Sequence, residues 1–161
     1  MKENEVLISS VKTQAGIFSF ASVDGVVIEA TFGNRTRLKS KGRYVRSVPQ
    51  VSTALKRYLK GDLRSLERIK VKEFGTAFHR KVMREMRKIA PGRVLTYGQL
   101  AKRAGVPGAA RAVGTACSSN PIPLIVPCHR VTRSDGSLGN YGYGIKAKRD
   151  LLTFEGALEK K

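Results

Sequence analysis

Cysteine and histidine are nearly missing from this sequence of 161 residues; Cys117, Cys128, His79 and His129 are all it has. Two cysteines cannot build the disulfide framework of a small secreted domain, so a reducing, cytoplasmic location is expected. The same four residues show no zinc-ligand spacing, so no metal is expected. Long apolar runs are missing too. None approaches the roughly 18 residues of a membrane-spanning helix. Neither end carries a lipidation motif, and the opening MKENEV mixes charges of both signs, unlike a signal peptide. A membrane is therefore not an expected partner. Acidic residues are the third shortage: 12 Asp and Glu stand against 31 Lys and Arg, a formal net charge of +19. Such a surplus suits a polyanion, although a solvated cationic surface would look the same in composition. With 41% apolar residues the chain can still bury a core, so one domain or two small ones are expected rather than disorder.

Residues 5–32 read as a β-meander. VLISSVK, GIFSFAS and GVVIEATF are rich in Val, Ile and Phe, and Asp24-Gly25 supplies a turn that tolerates positive φ. Ser47 and Gln50 have capping-box spacing, predicting a helix that runs to about Lys60 and stops at Gly61. Residues 62–75 show no period and read as a connection. In the second half, Phe78, Val82, Met86 and Ile89 lie on one helical face, and Pro91-Gly92 ends that helix. Thr96 and Gln99 form another capping box, opening a helix through Ala104, and a third helix is predicted over 109–118. Prolines at 121 and 123 disfavour helix there, and Leu124-Ile125-Val126 reads as a short buried strand. Ser134-Asp135-Gly136 predicts a turn, and a last helix runs from Lys146 to Glu155. The expected architecture is α/β (α+β): a small N-terminal antiparallel sheet with one helix over 1–74, and a mostly helical domain over 75–161.

Two short helices at 97–104 and 109–118, joined by a Gly-containing turn, have helix-turn-helix spacing. Ordinary helical hairpins share that spacing, but the charge placement favours DNA. From Met86 through Ser134 there is no Asp or Glu, while Arg87, Lys88, Arg93, Lys102, Arg103, Arg111, Arg130 and Arg133 are basic. A phosphate backbone can approach such a stretch without meeting like charge. The second helix, GAARAVGTACSS, lacks the Asn, Gln and multiple Arg side chains that read base edges. Its small residues suit close backbone approach instead, which points to a DNA enzyme rather than a sequence-specific regulator.

Pro127-Cys128-His129-Arg130 carries the reactive chemistry. A thiol becomes nucleophilic when a base takes its proton or cations favour the thiolate, and His129 and Arg130 offer both kinds of neighbour. An isolated cysteine after an apolar run is more often inert packing. Cys117, among small residues and with no base beside it, stays in that class.

In its context IVPCHRV closely resembles the O6-alkylguanine-DNA alkyltransferases. It is preceded by the RAVG of Arg111 to Gly114 and by Asn120-Pro121-Ile122-Pro123. The likeness continues through Gly139-Asn140-Tyr141, Leu151-Leu152 and Glu155-Gly156, and upstream through Gly75 to Phe78 and Thr96 to Ala101. It covers about residues 74–157.

The resemblance implies that Cys128 attacks the O6-alkyl carbon, that His129 is the base acting through water, and that Glu155 orients it, the logic of a Ser-His-Asp triad. Asn120 matches a hinge asparagine, and Tyr97 the phenol that donates to the leaving guanine. Arg111 matches the finger that fills the stack when the nucleotide flips out, with Thr96, Ala112, Gly114, Lys102 and Arg103 also on the DNA side. Main-chain groups at Cys128, Val131 and Gly142, with Tyr141, would hold the base. Gly142 departs from the serine of many family members. Taken without the resemblance, Tyr97 could simply pack, Asn120 cap a turn, and Glu155 sit at a helix end by chance. The implied reaction is irreversible and needs no cofactor. Its expected partner is double-stranded DNA containing O6-alkylguanine, met by a monomer, with O4-alkylthymine an open substrate. A lesion sensor that does not react is the alternative, and a basic helix-turn-helix regulator a more distant one.

Overall fold

Asp24 and Gly25 both adopt positive φ, 51° and 80°, between the paired residues Val23 and Val26. That is the two-residue turn whose twist matches a hairpin, and it joins β2 (Gly16–Val23) to β3 (Val26–Phe32). β1 (Val6–Thr13) pairs antiparallel with β2, Val6 opposite Val23 and Thr13 opposite Gly16. Two short strands extend this meander at its edges. β4 (Arg43–Tyr44) runs parallel to β1, and β5 (Lys70–Val71) parallel to β3, giving the order β4-β1-β2-β3-β5. Phe18, Phe20, Ala21 and Val27 are fully buried in this sheet.

The computed structural model describes residues 4–159 and divides into two compact units. The sheet belongs to unit 1, residues 1–72 with 121–125; unit 2 comprises residues 73–120 and 126–161. In unit 1, α1 (Pro49–Leu59) packs Val51, Ala54, Leu55 and Tyr58 inward. The capping box expected from Ser47 and Gln50 does not form. Pro49 takes the first helical position, where its fixed φ fits and its missing N–H costs nothing, so the cap falls on Val48. Val48 N donates to Ser52 Oγ at 2.9 Å instead, and the Gln50 side chain lies over Gly25. The connection at 62–75 contains a 3₁₀ turn, Leu63–Arg68, tied to α1 by the Ser65 hydroxyl on Ala54 O.

Leu124-Ile125-Val126 is buried as expected but forms a turn, not a strand. Pro123 and Pro127 flank it and cannot donate to a ladder, Ile125 N bonds Pro123 O at 2.8 Å, and Leu124 adopts φ 69°. Ala30 N donates to Pro121 O at 3.0 Å. Residues 121–125 thus group with the sheet rather than with the second half, where their place in the sequence puts them.

Unit 2 holds α2 (Ala77–Arg87), α3 (Tyr97–Arg103), α4 (Ala110–Ser118) and α5 (Ile145–Phe154). Val82 and Met86 of α2 are fully buried. The predicted capping box at α3 is present in both directions: Gln99 N donates to Thr96 Oγ1 and Thr96 N to Gln99 Oε1. α3 and α4 pack together across the turn at 104–109 as a helix-turn-helix. Just before α3, β6 (Leu95–Thr96) pairs in parallel with β7 (Val131–Thr132), which places the segment after Cys128 beside the start of α3. The expected α/β class holds, with the sheet in one unit and the helix pair in the other. Among the described residues no helix is long and apolar enough to cross a membrane.

Candidate active site

Cys128 opens a single 3₁₀ turn, Cys128–Arg130, that leads directly into β7. Its N–H donates to Val126 O at 2.8 Å. The Asn120 side chain, just past α4, donates through Nδ2 to both Val126 O at 2.9 Å and Cys128 Sγ at 3.2 Å. One amide therefore fixes the approach to Cys128 and aims a hydrogen bond at the sulfur. A donor on sulfur favours the thiolate, yet burial is the stronger influence and the Cys128 thiol stays above its ordinary pKa.

The next two residues turn inward with it. His129 is fully buried, and its Nε2 lies 3.0 Å from Glu155 Oε2. Arg130 grips the same carboxylate with Nε on Oε1 at 2.8 Å and Nη2 on Oε2 at 2.9 Å, and its Nη1 donates to Ile89 O at 2.8 Å. Burial pushes the His129 pKa down, so the imidazole is neutral near pH 7. Burial alone would raise the Glu155 carboxyl; its hydrogen-bonded partners reverse that and hold it well below the usual carboxylate range. With His129 neutral, the charge opposite Glu155 is the Arg130 guanidinium. Glu155, once ionised, accepts Nε2–H, and this fixes the tautomer with a lone pair on Nδ1. Among the described residues that buried Nδ1 has no hydrogen-bond partner.

Arg130 is the clear correction to the sequence reading. Far from being one of the cations open to a phosphate backbone, it is 5% exposed and wholly committed to Glu155 and Ile89. The sequence reading also misses Lys148. This lysine is fully buried, donates to Val131 O at 2.7 Å and more weakly to Asn140 O at 3.4 Å, and its pKa is lowered by burial. The signal is present: Lys148 shares the i, i+3, i+4, i+7 face of α5 with Leu151, Leu152 and Glu155, and a lysine on an apolar stripe is a buried lysine.

Cys128 lies in the wall of a cavity of about 1170 Å³. Tyr97, Arg111, Gly114, Asn120, Tyr141 and Gly142 share that wall with it. Arg111 is exposed in the first turn of α4, and Tyr97 opens α3, with its hydroxyl pKa raised by burial and by the two thiols. Tyr141 stacks edge-on with Tyr143, ring centroids 5.5 Å apart. The remaining candidates sit off the cavity. Thr96 is occupied as the α3 cap, Lys102 and Arg103 are exposed in its last turn, and Ala112 is exposed on α4. Val131 is fully buried in β7 with its carbonyl taken by Lys148. Cys117 also borders the cavity, but its thiol faces Met86 Sδ at 3.6 Å and burial pushes its pKa up to about 12. Among the described residues, no group of three or more His, Cys, Asp or Glu is placed to hold a metal ion.

Fold and site together define a protein with a buried, hydrogen-bonded thiol in a cavity wall that it shares with a helix-turn-helix. The family model for the DNA binding domain of 6-O-methylguanine DNA methyltransferase matches residues 77–157. A methylated-DNA–protein-cysteine methyltransferase of Mycolicibacterium paratuberculosis is 34% identical over 149 residues, 91% of this chain and 90% of that protein. The protein of the same name from Shigella flexneri is 44% identical over 108 residues, spanning 67% of this chain but only 63% of its own length. Among solved structures, Mycobacterium tuberculosis OGT in complex with DNA superposes with a TM-score of 0.77 at 29% identity, covering 94% of each chain. The chain belongs to the 6-O-methylguanine DNA methyltransferase family.

Proposed function

We propose that this chain repairs alkylated double-stranded DNA by moving the alkyl group from guanine O6 onto Cys128 Sγ, once per molecule. The observation that carries the reading is the arrangement on Cys128: a sulfur in a cavity wall, hydrogen-bonded by Asn120, beside a buried His129 whose tautomer Glu155 fixes. The thiol proton passes through a water to His129 Nδ1. Sulfur attacks the saturated carbon, the S–C bond forms as the C–O6 bond breaks, and the electron pair leaves with guanine. Tyr97, kept protonated by its raised pKa, donates to the ring as that charge develops. The product thioether has no easy leaving group, so the chain is spent. No cofactor enters the scheme.

Arg111 is the side chain that would fill the stack while the base occupies the cavity, and Gly114 lets the backbone of α4 come close. Lys102 and Arg103, with Thr96 and Ala112, supply the phosphate-facing side of the helix pair. Backbone groups of Cys128, Tyr141 and Gly142 meet the base edge; Val131 contributes from behind, as the anchor of Lys148. Every group of the site comes from unit 2 of one chain, in keeping with action as a monomer. Both cysteines are free thiols, in keeping with a reducing, cytoplasmic setting.

Intact mass measurement after incubation with an O6-methylguanine duplex tests the proposal. A gain of one methylene unit, mapped to the peptide bearing Cys128, is expected. Tight binding of the lesion with no mass change would replace transfer with lesion sensing.

A further inference from the structure

Unit 1 carries a surface that the transfer chemistry does not use. Between Glu29 and Asp62 the sequence has no acidic residue, and Arg35, Arg37, Lys39, Lys41, Arg43 and Arg46 fall within twelve positions. All six are exposed. The segment that bears them is nonetheless firmly built. Asn34 caps the 3₁₀ turn Arg35–Arg37, and Leu38 is buried with Ile8 and Ala21 of the sheet. Glu29 on β3 accepts from Lys39 N and Ser40 N at 2.8 Å each and from Ser40 Oγ at 2.7 Å. Then β4 pairs with β1, and Val45 N bonds Ile8 O.

Two acids that reach the segment, Glu29 and Glu5, are engaged within it. Glu29 holds the loop backbone, and Glu5 pairs with Arg43 at 3.0 Å. Arg35 stacks over the Tyr44 ring, 4.1 Å from its centroid. Among the described residues, Arg35, Arg37, Lys41 and Arg46 make no ion pair. A free charged tail relieves self-repulsion by spreading out; this loop is pinned and cannot, so an external polyanion offers the relief. The arginine forks suit phosphate oxygens. Within the segment Tyr44 is the one large apolar group exposed, and it lies under Arg35; the neighbouring Ile17 is a single exposed apolar side chain, too little to anchor the segment in a bilayer.

We propose that the 33–47 segment of unit 1 is a second DNA-binding surface, one that takes the phosphate backbone of duplex DNA without reading sequence or lesion. It rests on the DNA-directed reading of the site and adds a contact outside the helix-turn-helix. It predicts that part of the affinity for undamaged DNA resides in the sheet unit.

The test uses the full chain and a lesion-free duplex, with affinity measured over a range of potassium chloride. R35Q/R37Q/K39Q/K41Q is compared with wild type and with K56Q/K60Q/R68Q/K70Q, which removes the same charge elsewhere in unit 1. Every phosphate that the protein no longer neutralises flattens the plot of log affinity against log salt by about 0.9. The first variant should therefore flatten it by about 2–3 and the control by less than about 1. Both variants should react with free O6-benzylguanine at the wild-type rate, since that substrate has no phosphate to hold. Equal flattening in the two variants, or none in either, overturns the proposal, as does a loss seen only on vesicles of anionic phospholipid. A wild-type chain that binds duplex but never gains mass from methylated DNA would remove the transfer reading and leave this one standing.

Discussion

The two cysteines border the same cavity and are both buried, yet their surroundings have little in common. Around Cys117 the contacts are soft and apolar: a helix of small residues and the Met86 thioether. Around Cys128 they are directional: an amide on the sulfur, a histidine behind it, and a carboxylate held by an arginine. Two equally buried thiols can thus sit in opposite surroundings, one packed against sulfur and apolar atoms, the other met by aimed polar groups that favour ionisation.

Removing each sulfur in turn is the bluntest way to break that comparison. Cys128→Ala should abolish transfer from methylated duplex while leaving duplex affinity near wild type, and Cys117→Ala should leave single-turnover transfer almost unchanged. Transfer that survives the first change, or vanishes with the second, would exchange the two roles. A subtler cut is Asn120→Ala. A hydrogen bond to a charged group is worth about 1.5–3 kcal/mol, so this variant should slow transfer by about 10- to 150-fold on duplex and free base alike. Labelling of Cys117 by iodoacetamide should not respond.

The polar scaffold behind Cys128 can be tested as stability. Arg130→Met leaves Glu155 with His129 but without its cation and strands the Ile89 carbonyl, and breaking a buried pair by removing one partner typically costs about 3–5 kcal/mol. Urea unfolding measures it, and a loss below about 1 kcal/mol, the worth of an exposed pair, would show that the triangle is not sealed from water. Arg111→Ala separates base delivery from chemistry. Unstacking a base costs a few kcal/mol, so a missing finger should slow repair of duplex by about tenfold or more. The free base should react as before, and equal losses on both substrates would make Arg111 a support of the cavity.

The smallest expected effects lie at the two ends of the pH scale, where the thiol regions should fail separately. The Glu155 pKa is depressed in the fold, so the unfolded chain takes up its proton first; that stabilisation is complete above the ordinary carboxylate pKa of 4.5 and fades as the pH falls. The Cys117 pKa is raised to about 12 from an ordinary 9.0, so its stabilisation is complete below 9.0 and fades as the pH climbs towards 12. Thermal melts against pH should have a shallower acid limb in Glu155→Gln and a shallower alkaline limb in Cys117→Ala, where the raised Cys128 thiol still contributes. Unchanged limbs would mean that other groups set both limits.

Local signals are legible where the residues that create an element also complete it. Asp24-Gly25 and Thr96/Gln99 are self-contained, and both appear as read. Ser47/Gln50 has equally good spacing but loses to Pro49, which fixes the helix start by backbone geometry. Leu124–Val126 has strand composition, and its flanking prolines override it. In the site, the residue types around Cys128 are visible, because a base next to a thiol is a pattern in one dimension. That Arg130 turns inward is not visible, since Ile89 and Glu155 come to it from 41 and 25 residues away. Charge counting treats all arginines alike, and only packing separates one that meets solvent from one that is a strut.

Gly139 and Gly142 differ in a way that bears on which lesions the cavity can be made to accept. A Cβ on Gly139 would meet Arg133 Cγ at 3.3 Å and the Tyr97 hydroxyl at 3.4 Å, on a backbone with φ of +79°. On Gly142 it would meet nothing within 4 Å, and no positive φ restricts the choice of residue there. A side chain at 142 therefore has both room and a permissive backbone in the cavity wall, and reaction rates of Gly142 variants with methyl and benzyl lesions would show whether that position limits the group transferred. At 139 any side chain would press on Tyr97 and strain the backbone, so that position is closed to the same adjustment.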